Sequence, residues 1–437
     1  MAELAVSDEL VRSVRRSVMA GLEARARQSP AQESGGDHER VLAHELVRVE
    51  LARLADEAVL AGRPPLPAEV EDELASEVWA SLYGFGPFER YLAMEDVENI
   101  VVNGYDIVWL YFADGRVEQG ASIGSSNDDL RRLIQRAAAR MGRNERRFDD
   151  ASPMLDLQLR DGSRLHAITS VTTAPCVTIR RHRHLKVTLA DLAGLGTVDD
   201  TLVEFLAAAV RARLNILVVG GTDAGKTTFL RALISEIPSR ERLVIVEDDA
   251  ELSVIASGAA QRNVVEMEAR RANTEGIGAI TIADLVREAR RMRPDRLIVG
   301  EVRGAEVIQM LDAMSMGNDG SLGTLHADST RTAFSKIGEF ALRSAERLPL
   351  EASALMVANS LHLVVHVHKP DRMATTRVVS SVREVAGSEA ATVLSNEVFA
   401  PDSTGRARPA HPLQASTMDR LIDAGFDPTL LQGSGRW

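Results

Sequence analysis

Gly220-Gly221-Thr222-Asp223-Ala224-Gly225-Lys226-Thr227-Thr228 decides how the rest of this chain is read. It fits the pattern G-x-x-x-x-G-K-[ST] and lies between a strand-like apolar run, Asn215-Ile-Leu-Val-Val219, and a helical stretch over residues 227–237. The glycines let successive backbone N–H groups turn inward around phosphates, and the helix N-terminus adds positive potential. The Lys226 ammonium would reach the β- and γ-phosphates, and the Thr227 hydroxyl would ligate Mg²⁺. A ligand-free turn would not need the lysine, the tandem threonines and both flanking elements in register. The segment is read as nucleotide-binding, and each of its nine residues is a candidate contact.

Further along, two more apolar runs end in acids: Leu243-Val-Ile-Val-Glu247-Asp-Asp249 and Leu297-Ile-Val-Gly300-Glu301. Open parallel sheets keep their chemistry at the carboxyl ends of strands. An acid there can hold the Mg²⁺ shell or polarise the attacking water. Either run alone would read as a solvated acid ending a buried strand; both downstream of a phosphate loop read as chemistry. Gly300 occupies the place where most enzymes with such a loop put an aspartate. Gly317-Asn-Asp-Gly-Ser-Leu-Gly-Thr324-Leu-His326 reads as a small-residue loop ending in a histidine, which by itself is more often structural than functional. Helices alternate with β-rich runs from residue 189 onward, so this part is α/β, a parallel sheet with crossover helices.

Upstream, residues 1–27 read as an amphipathic helix, with Leu10, Val14, Val18 and Leu22 at helical spacing. Residues 28–37 read as a linker, and 39–61 as a second helix closed by Arg63-Pro-Pro-Leu-Pro67. These first 65 residues are expected to form a helical appendage without its own core. Short strands and helices follow, an α+β module ending in the basic run over 180–186, taken as the hinge. After Val367 the pattern weakens, with one more amphipathic helix over 417–424.

The chain has 437 residues, 51 Lys+Arg against 63 Asp+Glu, a net charge of −12 and 4% aromatics. That balance argues against a nucleic-acid-coating protein and against rows of base-stacking aromatics. The basic stretches 180–186 and 287–296 are more simply solvated faces or phosphate-sensing arginines. With one cysteine, Cys176, no intramolecular disulfide can form. No apolar window of about 18 residues and no secretory pattern is seen, so a cytoplasmic protein is expected.

The phosphate loop, Val246-Glu247-Asp248, Arg293-Pro-Asp-Arg-Leu-Ile-Val-Gly-Glu-Val-Arg303 and Gly323-Thr-Leu-His326-Ala resemble, in order and spacing, the four boxes of the type II/type IV secretion ATPases. Tyr83-Gly-Phe-Gly-Pro-Phe-Glu89, Glu98-Asn-Ile-Val-Val-Asn-Gly104 and Ser152 through Arg164 are similar to that family's N-terminal domain. The resemblance runs from about residue 70 to 370. The tail, with Gly425-Phe-Asp-Pro-Thr-Leu-Leu431, most resembles the branch that assembles tight-adherence (Flp/Tad) pili.

The resemblance implies a helical N-terminal extension (1–69), a PAS-like α+β domain (70–185), a RecA-like P-loop NTPase motor domain (186–370) and its C-terminal extension (371–437). It implies a homohexameric ring that hydrolyses ATP with Mg²⁺, the nucleotide lying between the two domains. Domain motion would drive an inner-membrane platform that assembles a pilus or secretes protein. The protein would be peripheral at the inner face of the cytoplasmic membrane through its partners, with no nucleic acid expected. By resemblance Lys226 binds phosphate, Glu301 (with Thr227) serves Mg²⁺, Glu247 activates water, His326 senses the phosphate state, and Arg164 and Arg180 reach the nucleotide. Asp223-Ala224 departs from the Ser or Gly common there, and no second histidine typical of some retraction motors is found. The alternatives are a RecA-like nucleic-acid motor, such as a helicase or conjugative DNA pump, and a non-hydrolysing ATP-binding scaffold. The net charge and scarce aromatics oppose the first; Lys226, Glu247 and Glu301 together oppose the second.

Overall fold

Apolar residues at helical spacing bring the first three helices together. Val14 and Val18 of α1 (Asp8–Gln28), Val47 and Leu51 of α2 (Gly36–Leu60), and Leu74, Val78 and Leu82 of α3 (Ala68–Tyr83) bury one shared cluster. The N-terminal helices therefore have an apolar core, which they share with α3. The computed structural model describes residues 8–28, 36–141, 147–159, 161–181, 186–255, 257, 261, 263–270, 272, 276–315, 317, 319–370 and 376–434. Part of the basic run over 180–186 and part of the 28–37 linker lie outside them. The chain divides into two compact units, Met1–Arg181 and His182–Trp437.

After α4 (Glu89–Leu92), the first unit builds a six-stranded antiparallel sheet from β1 (Val97–Asn103), β2 (Val108–Phe112), β3 (Val117–Gly120), β4 (Met154–Gln158), β5 (Arg164–Ile168) and β6 (Cys176–Arg180). Its order is β3-β2-β1-β6-β5-β4, with α5 (Asn127–Met141) inserted between β3 and β4. Alternation sorts its faces: Val108, Leu110 and Phe112 of β2 are buried, while Trp109 and Tyr111 are exposed. β5 and β6 pair Arg164 with Arg180, so both guanidinium groups start from one face at neighbouring positions.

In the second unit, runs without polar alternation become strands covered on both sides by helices. The helices are α6 (Leu189–Gly194), α7 (Asp200–Arg211), α8 (Lys226–Ser235), α9 (Ile282–Ala289), α10 (Glu306–Ser315), α11 (Thr330–Arg343), α12 (Leu350–Ser360) and α13 (Ala415–Asp423). The strands are β7 (Ile216–Gly220), β8 (Leu243–Glu247), β9 (Val264–Glu268), β10 (Arg296–Val302), β11 (Leu322–His326), β12 (Leu363–His368), β13 (Val378–Glu389), β14 (Thr392–Pro401) and β15 (Ala407–Pro409). They form one sheet in the order β15-β14-β13-β12-β7-β11-β10-β8-β9. From β12 to β9 every pairing is parallel; β13, β14 and β15 continue it antiparallel. Large apolar clusters lie against both faces.

Two elements correct the sequence reading. Residues 322–326, expected to belong to a small-residue loop, are a buried central strand between β7 and β10. Gly323 is small because α10 presses on it: a Cβ there would stand 2.9 Å from Met310 Sδ. The tail, read as weak, holds the long β13–β14 hairpin, whose alternation is masked because the first half of β13 is buried on both faces.

At the amino edge of this sheet the buried side-chain amide of Asn215 donates to Met314 O (3.1 Å) and Ser360 O (2.5 Å), and accepts from Gly320 N and Ser321 N at 2.9 Å. One side chain so joins β7, β11, α10 and α12. Arg296, fully buried, makes a two-pronged contact with Glu241 (2.8 and 3.1 Å) that fixes the start of β10. Among the described residues no helix is long and apolar enough to cross a membrane.

Candidate active site

β7 delivers the phosphate loop to the carboxyl edge of the sheet. At Gly220 a Cβ would stand 2.2 Å from Val367 O, so the neighbouring β12 backbone admits only glycine. Gly225, at φ +90°, is the N-cap of α8, a left-handed conformation that favours glycine. Asp223 holds φ +60° without being glycine. Lys226, 7% exposed, donates from Nζ to Gly221 O at 2.9 Å.

Register then brings β11 to the loop: His326 stands opposite Gly220, and its Nδ1 is 3.1 Å from Lys226 Nζ. His326 Nε2 pairs with Glu301 Oε1. An imidazole carrying its proton on Nε2 satisfies both contacts, accepting from Lys226 and donating to Glu301. Arg303 Nε completes the chain with 2.8 Å to Glu301 Oε2, and its Nη1 lies 3.2 Å from Asp248. A cavity of about 350 Å³ opens beside this row, lined by Gly221, Thr222, His326, Asp328, Thr332 and Lys336.

The two acids singled out in the sequence sit in opposite electrostatic settings. Burial works against ionisation of Glu301, but the His326 hydrogen bond and the Arg303 charge outweigh it and hold the carboxyl at about 2. Glu247 is 4% exposed; burial pushes it up to about 8, against the lowering effect of the Leu252 and Glu251 N–H groups that donate to it. Those bonds, 3.0 and 3.1 Å to Oε1, curl the segment after β8 around the carboxyl.

Gly300 accounts for the departure noted in the sequence. A Cβ there would stand 2.7 Å from Glu247 Cγ and 2.8 Å from its Oε1. An aspartate at 300 and the buried Glu247 cannot share this space. Thr324 Oγ1 donates to Gly300 O at 2.6 Å and fixes the backbone at that point.

Sequence reasoning missed Glu251, whose Oε2 accepts from the Thr227 hydroxyl at 3.0 Å, and Arg231, whose Nε holds Leu252 O at 3.0 Å. The signal for Glu251 was its place four residues after Glu247; for Arg231 there was none. Lys226, Thr227, Glu247, Glu301 and His326 come together within this unit. Arg164 and Arg180 belong to the other unit and are neighbours on its sheet.

Glu247 yields a pH-dependent expectation. Its carboxyl titrates near 4.5 ordinarily and at about 8 in the folded protein, so folding takes up a proton between those values. The stability this group confers is complete below the lower value and is lost as pH rises through the upper one. The melting temperature of the nucleotide-free protein is expected to fall from about pH 5 to pH 8.5 and to fall less in Glu247→Gln, which stays neutral. An equal slope in both proteins would assign the effect to other groups.

The sequence matches the family described as Type II/IV secretion system protein over residues 81–399. A Mycobacterium tuberculosis protein named for conjugal transfer is 37% identical over 318 residues, covering 70% of this chain and 86% of that protein. The type IV secretion system protein VirB11 of Brucella suis is 28% identical over 283 residues, 59% of this chain and 78% of its own. Among solved structures, the pilus retraction motor PilT with bound ADP shares the fold, with a TM-score of 0.51 at 16% identity, over 79% of this chain and 98% of that one.

Proposed function

The chain belongs to the type II/IV secretion system protein family, and from that premise we propose that it is the ATP-hydrolysing, ring-forming motor of a pilus or secretion machine. The observation that carries the proposal is the unbroken row Lys226–His326–Glu301–Arg303 at the mouth of the phosphate loop. In it the cation that would meet the γ-phosphate is linked through an imidazole to an ionised carboxylate. A change at the phosphate is thereby felt at Glu301 and Arg303.

The residues present suit Mg²⁺, a hard ion that takes oxygen donors and keeps much of its shell as water and substrate phosphate. Thr227 Oγ1 and the ionised Glu301 would hold it. Mg²⁺ would supply charge neutralisation for the transferring phosphoryl group. Lys226 neutralises phosphate charge and the α8 N-terminus adds to it. Glu247 polarises the attacking water; the burial that raises it also makes it the stronger base once ionised. Turnover that climbs toward about pH 8, and loses that climb in Glu247→Gln, supports this role.

By this proposal six copies form a ring at the cytoplasmic face of the inner membrane and push on a membrane-embedded platform. Arg164 and Arg180, side by side on their sheet, supply charge to the nucleotide as the ring closes. Arg164→Ala is expected to keep ATP affinity and melting temperature and to lower turnover by about tenfold or more. Full activity would remove Arg164 from the site.

The name of the mycobacterial relative favours a second reading, a motor whose cargo includes nucleic acid. The test is ATP turnover and mass in solution, with and without single-stranded DNA. A hexamer whose turnover ignores DNA supports the protein-export or pilus reading. Strong stimulation by DNA moves the assignment to the nucleic-acid motor.

A further inference from the structure

Asp223 places a carboxylate inside the loop that is to receive a polyphosphate. Like charges so close work against the ligand. The backbone does not require aspartate there: φ +60° is met most cheaply by glycine, and aspartate is merely among the residues that tolerate it. The reason lies in its partners. Lys369, the residue after β12, donates from Nζ to Asp223 Oδ2 at 2.5 Å. Arg377, the residue before β13, brings Nη2 to 3.5 Å from Oδ1. Arg377 also lies across the loop itself, since a Cβ at Gly225 would stand 3.4 Å from its Cγ.

These ion pairs contribute little to folding. The Asp223 side chain is 49% exposed, and surface pairs of this kind are worth about 0–1 kcal/mol. Their place explains them better. A nucleotide's phosphates carry more negative charge than Asp223 and compete for both side chains.

We propose that Asp223, Lys369 and Arg377 form a releasable charge latch on the phosphate loop. Without nucleotide the carboxylate holds Lys369 and Arg377; on binding, the phosphates of an adenine nucleotide take them over. Asp223 thereby acts as a built-in competitor that lowers nucleotide affinity and hastens release of the diphosphate. Lys369 and Arg377 are phosphate-binding residues contributed by the strands on the far side of β7. The latch rests on the nucleotide-binding role of the loop, and the experiment separates the two.

The experiment is calorimetric titration of the full chain with ADP and with ATP in Mg²⁺. Asp223→Gly, a replacement its backbone favours, is expected to tighten ADP binding about 5- to 10-fold. Lys369→Ala and Arg377→Ala are expected to weaken it by a similar factor. In the Lys369→Ala background, Asp223→Gly should gain less, because one of the contested cations is gone. Unchanged or weaker ADP binding in Asp223→Gly, with its melting temperature kept, overturns the latch. A wild-type protein that binds neither nucleotide overturns the loop's role itself. Wild-type binding that Lys226→Ala abolishes, with no gain in Asp223→Gly, removes the latch alone.

Discussion

Glu301→Gln is expected to leave ATP bound and to lower turnover by about 100-fold or more, the scale on which a single preorganised electrostatic contact acts. Glutamine keeps the side chain's shape, and its Oε1 still accepts from His326. What disappears is the charge that His326 and Arg303 hold in the ionised state against burial. Arg303 then keeps only Asp248 as its acid partner among the contacts described above. By the proposal the phosphates are bound by Lys226, the loop amides, Lys369 and Arg377, so affinity should change little. Single-turnover hydrolysis measured beside ATP affinity separates the two effects. Near-normal hydrolysis in Glu301→Gln would sink the proposal that this acid serves the chemistry.

Gly300→Ala is expected to lower both stability and turnover, because the added methyl must displace Glu247. Its Cβ would lie 2.7 Å from Glu247 Cγ, and the carboxyl beyond is held by two backbone N–H groups. Overpacking costs about 1–3 kcal/mol, and a buried donor left unsatisfied about as much again. At about 2–4 °C per kcal/mol for a unit of this size, the melting temperature should drop by several degrees. Turnover should fall at least about tenfold if Glu247 activates water. Removing the colliding side chain in Gly300→Ala/Glu247→Ala should recover part of the stability and none of the turnover. Unchanged melting and turnover in Gly300→Ala would mean that Glu247 has room to move.

Local signals made much of this legible. The phosphate loop announces itself through glycine spacing and a lysine, and the flanking strand and helix occur where expected, Ile216–Gly220 and Lys226–Ser235. Both acid-ended strands, β8 and β10, belong to the same sheet, beyond β11. What stayed hidden depends on neighbours distant in sequence. Gly323 looks like a loop residue until Met310 is seen against it. Glu247 and Glu301 read alike as acids ending strands, and only burial and partners set one near 8 and the other near 2. Gly300 looks like a missing aspartate, although it is the space into which Glu247 fits. Lys369 and Arg377 carry no motif, since their meaning comes from the adjacency of β12 and β7.

Asn215 ties four elements at one margin of the large sheet through a buried amide, whereas the opposite margin is held together by charges and an imidazole. The two margins differ in what a rearrangement would break. Exchange of ionic partners around Lys226 leaves the main-chain ladder intact, and the amide near Asn215 has no part in it. By the proposal, the packing tie and the ionic exchange lie at separate ends of the same strands. A thermostabilised variant built around the Asn215 margin need not be a slower engine, because the usual exchange of activity for rigidity arises where both demands fall on the same residues.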